Sequence, residues 1–95
     1  MRSSSIVVAV SLLSFSILFA YAPRFARGDD LADEADLQFQ LGAARYLEGD
    51  FRGALEHFLA SNRLVPNHNV SFNIGRSYEQ LKQFPEAFRY YSQAY

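Results

Sequence analysis

From residue 35 onward the chain repeats itself at a spacing of 33 residues, and no other feature narrows its fold as far. Sliding the sequence by 33 places superposes Phe39 on Phe72, Gly42 on Gly75, Phe51 on Phe84 and Ala54 on Ala87. Similar residues coincide too: Leu41 with Ile74, Phe58 with Tyr91, and Ser61 with Ala94. Four identities in 28 comparable pairs, residues 35–62 against 68–95, is low as raw similarity. The matches nevertheless fall where two antiparallel helices must touch. Small residues at 42, 54, 75 and 87 let backbones approach, and the aromatic residues at 51, 58, 84 and 91 fill the space between pairs, each burying ~150–250 Å². A period of roughly 20 to 50 residues marks a unit that cannot bury its apolar face alone and stacks on its neighbours.

Apolar residues recur at helical spacing from Asp29 onward, with breaks at Gly49-Asp50, at Pro66-Asn67 and at residues 82–85. The pattern predicts an all-α domain over 29–95, with helices at about 31–48, 51–64, 68–81 and 84–95. Asp29 or Asp30 is the expected first N-cap, with Asp33, Glu34 and Asp36 set against the positive end of the helix dipole. Gly49 supplies a left-handed C-terminal position, Asp50 and Asn67 cap the next two helices, and Pro85 suits a first turn. No segment reads as a strand.

A helix-turn-helix unit of this length, with Leu-Gly, then Ala-x-x-x-aromatic, then Pro, resembles the tetratricopeptide repeat family. Leu41-Gly42, Gly49-Asp50-Phe51, Ala54-x-x-x-Phe58 and Pro66-Asn67 carry the resemblance in a first copy at about 35–67. Ile74-Gly75-x-x-Tyr78, Phe84, Ala87-x-x-x-Tyr91 and Ala94 carry it in a second copy at about 68–95. Departures are Gln38 and Ser71 where the family often has Trp, Arg45 where it has Tyr, and Lys82 in place of the turn glycine. The resemblance implies antiparallel helix pairs stacked as an α-solenoid. The wording of 64–81 is similar to repeats of exported bacterial proteins. The second copy stops within its fourth helix, before counterparts of Leu64 and Pro66. That predicts either the start of a longer array or self-association over the uncovered edge, because repeat arrays bury their core between neighbours.

Residues 1–28 read as an address. Met1-Arg2-Ser3-Ser4-Ser5 is a basic start, and residues 6–22 are apolar except for Ser11, Ser14 and Ser16. A basic, an apolar and a small-residue segment in that order is the pattern of a secretory signal. The alternative is a retained inner-membrane anchor, since 17 residues is at the lower limit for crossing ~30 Å of hydrocarbon. A cut after Ala22 would place Pro23 next to the scissile bond, and a cut after Gly28 fits better. The remaining 29–95 would carry six basic and ten acidic groups, a net charge of 6 − 10 = −4. The expected compartment is periplasmic or secreted.

The chemical inventory is thin. The chain has no cysteine, a net charge near −1 and two histidines, His57 and His68. Disulfides, thiolate metal sites and a basic field for nucleic acid are therefore absent. Each histidine reads as a surface or half-buried imidazole, and Asp50 beside Glu48 reads as a cap. No phosphate loop or nucleophile elbow occurs, so no catalytic residue, cofactor or metal is expected. The resemblance implies a non-catalytic scaffold whose concave groove holds a protein or peptide, with membrane contact only through an uncleaved N-terminal segment. The implied groove residues are Asp36, Phe39, Ala43 and Tyr46 in the first copy and Asn69, Phe72, Asn73, Arg76, Glu79 and Gln80 in the second. Asn73 offers paired donor and acceptor atoms and Arg76 a forked donor for a carboxylate, although Glu79 and Glu48 are candidate partners for Arg76. Phe39 and Phe72 read equally as packing residues. A self-associating assembly module, or accessory repeats of a longer protein, are the alternative functions.

Overall fold

A computed structural model describes residues 28–95. The segment read as a signal or anchor lies outside the described residues except for its last residue, Gly28. Four helices follow one another: α1 (Gly28–Leu47), α2 (Phe51–Leu64), α3 (His68–Gln80) and α4 (Phe84–Ala94). Among the described residues there is no strand, so the described fold is all-α. The sequence-predicted boundaries agree within one residue, apart from the start of α1. That helix already includes Gly28, the first described residue, so Asp29 and Asp30 stand within it, beside the positive end of its dipole, instead of capping it.

The sequential helices pair as hairpins. In the first, Ser61 Oγ donates to the carbonyl of Ala35 at 2.8 Å, Phe58 lies on Gly42, and the rings of Tyr46 and Phe51 meet edge-on at 5.0 Å. Partners draw closer in sequence toward the turn, which is antiparallel pairing. The second hairpin repeats it, with Tyr91 on Gly75 and the rings of Tyr78 and Tyr90 stacked at 5.7 Å. The 33-residue period thus extends into atomic contacts. Phe39 meets Phe58 at 5.5 Å and 46°, and Phe72 meets Tyr91 at 5.6 Å and 48°.

The two hairpin turns share one hydrogen-bond pattern. Gly49 N donates to Tyr46 O and Asp50 N to Arg45 O; 33 residues on, Lys82 N donates to Glu79 O and Gln83 N to Tyr78 O. This double closure is the Schellman motif, which needs a left-handed residue just past the helix. Gly49 meets the need at φ 81°, whereas Lys82 does so at φ 64° with a Cβ in the way. Asp50 accepts from Gly53 N at 2.9 Å and Asn67 from Asn69 N at 2.8 Å, as capping residues do. Gln83 makes no such side-chain bond, and Pro85 in the first turn of α4 supplies the preset φ instead.

The core lies at the junction of the hairpins. Ala54, Leu55, Phe58, Val70 and Ile74 form it, with Phe39, Tyr46, Leu59, Tyr78 and Leu81 among the half-buried side chains around it. Three serines are also buried, and no buried side-chain polar atom lacks a hydrogen-bond partner among the described residues. Ser61 satisfies itself across the hairpin, and Ser77 Oγ donates to the carbonyl of Asn73.

A Cβ added to Gly42 would stand 2.6 Å from the Phe58 ring, which is 1% exposed and has nowhere to move. Overpacking of this kind costs ~1–3 kcal/mol, more than the ~1 kcal/mol of helix propensity that Ala adds over Gly. Gly42→Ala is therefore expected to lower the urea midpoint. Gly75→Ala should lower it less, because Tyr91 is only half-buried and can swing outward. Lys82→Gly should raise the midpoint by relieving the left-handed strain, a gain of about 1 kcal/mol.

Candidate protein-binding groove

Helices α1 and α3 both contribute side chains to two hollows. The first, about 230 Å³, has Ala32, Asp36 and Phe39 from α1, Ser61 at the end of α2 and Val65 just after it, and Asn69 and Val70 at the start of α3. The second, about 200 Å³, has Tyr46 from α1, Phe72, Arg76, Glu79 and Gln80 from α3, and Tyr91 from α4. Of the residues implied for a groove, Asp36, Phe39 and Asn69 line the first hollow and Tyr46, Phe72, Arg76, Glu79 and Gln80 the second. Ala43 lines neither and packs against the core.

Asn73 also lines neither hollow. Its Nδ2 donates to the carbonyl of Asn69 one turn back at 2.7 Å, and its own carbonyl accepts from Ser77 Oγ at 2.9 Å. That bond uses one of the two N–H donors of the Asn73 amide, a local back-bond that the short polar side chains of Asn and Ser make readily inside helices. Phe39 and Phe72 are packing residues and lining residues at once, each with one edge on the aromatic partner given above.

Arg76 has the most open chemistry of the set. Its guanidinium stands 4.7 Å from the centre of the Tyr46 ring and 5.9 Å from that of Phe72. The candidate carboxylates are engaged elsewhere: Glu48 with Arg45 at 3.4 Å, and Glu79 with the hydroxyl of Tyr91, which donates to it at 2.8 Å. Among the described residues Arg76 makes no ion pair. A guanidinium resting on aromatic faces keeps its planar fork of N–H donors for an incoming acceptor.

Tyr91 is the participant that sequence reasoning missed as a lining residue. Its counterpart Phe58 has no hydroxyl, so the repeat by itself announces only a packing ring. Burial raises the Tyr91 phenol first, the hydrogen bond and charge of Glu79 raise it further, and Arg76 opposes them, leaving it pushed up to about 12. Tyr78 is raised as well, mainly by burial and then by Tyr90.

The remaining candidates for chemistry have local partners. His57 Nδ1 meets Gln38 Oε1 at 2.8 Å, and His68 Nδ1 donates to the carbonyl of Gln93 at 3.2 Å. Among the described residues no group of three or more His, Cys, Asp or Glu is gathered as a metal would require, and no helix is long and apolar enough to cross a membrane. Compared with family models, with curated proteins and with solved structures, the chain matches none.

A Tyr91 phenol raised in the folded state stabilises it fully below the ordinary value near 10, and that contribution is lost as pH rises from there through about 12. Titrated by tyrosinate absorbance, the folded chain should show a late-ionising tyrosine that Tyr91→Phe removes. The same change should flatten part of the fall in stability above pH 10.

Proposed function

We propose that the chain is a non-catalytic interaction scaffold of tetratricopeptide type, a short α-solenoid that holds a segment of a partner protein along the α1–α3 face. The observation that carries this reading is Arg76, a cation that makes no ion pair among the described residues, laid across Tyr46 and Phe72 at the rim of a hollow. Aromatic rings beside a free guanidinium suit a polypeptide segment with apolar side chains and a carboxylate or backbone carbonyl. The recurrence of the turn bonds and ring contacts at 33 residues supports the repeat architecture.

The amino-terminal pattern supports export to the periplasm or cell envelope, with residues 6–22 as the membrane tether if the signal is retained. A processed chain would begin at Asp29, and its intact mass from the exported fraction reads this directly.

Peptides selected on the full chain provide the functional test. Arg76→Ala should weaken their binding roughly 10- to 100-fold, the equivalent of a charge-assisted hydrogen bond of ~1.5–3 kcal/mol. Arg52→Ala, exposed on α2, should leave binding unchanged. Equal affinity for the Arg76 variant and the unaltered chain would remove the groove from the account.

A further inference from the structure

The junction between the hairpins joins two surfaces. Helix α2 brings Leu55 and Phe58, with Phe51 half-buried at its start against Tyr46, and α3 brings Val70 and Ile74, with Ser77 fully buried one turn on. The 33-residue correspondence puts the same two surfaces on α1 and α4, where among the described residues they are exposed. Helix α1 has Leu37, Leu41 and Ala44 in the places of Val70, Ile74 and Ser77; α4 has Phe84, Phe88 and Tyr91 in the places of Phe51, Leu55 and Phe58. Burial makes the difference plain. At the junction Leu55 is 6% exposed and Ile74 0%, whereas on α4 Phe88 is 75% and on α1 Leu41 40% exposed.

We propose that a second copy of this chain covers the α4 face, docking its α1 there in the register that α3 adopts on α2. Shape, charge and the internal precedent all favour this occupant. Ala44 is as small as Ser77, which is fully buried at the junction, so the helices can approach as closely as α2 and α3 do. Helix α1 holds Asp29, Asp30, Asp33, Glu34 and Asp36 against Arg45, whereas α4 holds one Glu86 and one Arg89. Setting α1 on α4 places an acidic helix against one without net charge, while α1 on α1 would bring two acidic halves together. Arg45 and Glu48, themselves paired, occupy the places of Tyr78 and Leu81 and give the docked interface a polar end. The contact is heterologous: each added copy leaves one α1 and one α4 face open, so growth proceeds end to end. On α1, Leu37, Leu41 and Ala44 lie outside both hollows; on α4, Phe84 and Phe88 do, and Tyr91 alone is shared with the second hollow.

The chain contains no cysteine, which makes thiol cross-linking clean. Full-length Leu41→Cys, carrying a size tag, and untagged Phe88→Cys are mixed and treated with a short bismaleimide. The expected result is a mixed dimer exceeding either self-linked dimer roughly tenfold, and a ladder of higher species from the double variant. Self-linking of either variant alone, linking without positional preference as clustering through residues 6–22 would give, or no linking at all would each overturn the proposal. A second measurement covers loss of helicity in either cysteine variant: Phe88→Glu, on an already exposed side chain, must lower the concentration-dependent average mass of the unaltered chain. An unchanged mass would overturn the proposal equally.

Discussion

An aromatic ring lying directly on a helix backbone, at a place where any Cβ would collide with it, sets the geometry of both hairpins. Phe58 occupies that place on Gly42, and Tyr91 on Gly75. The contact draws each helix pair to a short separation, and in the first hairpin it drives the ring to near-complete burial beside Ala54 and Ile74, the residues around which the core closes. Close-packed interiors tolerate little volume change, so the glycine and the ring are determined together. The turn preceding each aromatic helix is constrained likewise, because two carbonyls of the preceding helix must be closed while the chain reverses, and both turns do so with a left-handed residue.

The exchange of Phe58 for Tyr91 makes the two hairpins unlike in side-chain chemistry while they remain alike in shape. The added hydroxyl reaches Glu79 and engages it. Glu79 is thereby turned away from an ion pair with Arg76, whose guanidinium instead rests on Tyr46 and Phe72. A packing residue thus shapes the electrostatics of the second hollow through one hydrogen bond.

Much of the fold was legible in the chain. Gly49 before Asp50, Asn67 after Pro66 and Pro85 at a helix start each carry a local preference that needs no long-range information, and all occupy the expected turns and caps. Lys82 was legible only by its correspondence to Gly49, since no lysine announces a left-handed backbone. The start of α1 was not legible, because consecutive aspartates serve equally as caps or as first-turn residues. Of the ten positions that the resemblance implied for a groove, eight line the two hollows, while Ala43 and Asn73 line neither. Asn73 gives a donor to Asn69 and Arg76 is paired with neither Glu48 nor Glu79, outcomes that turn on rotamers and neighbours a few ångströms away.

The sequence by itself therefore determined the four helices, their turns and the 33-residue correspondence, because caps, glycines and apolar periodicity act over a few residues and need no tertiary context. Tertiary structure alone decided which apolar faces are buried and which stay open, and which polar side chains remain free. Leu41 and Ile74 stand at matching positions in matching helices, yet one is exposed and the other enclosed, since burial depends on whether a neighbouring hairpin is there to pack against.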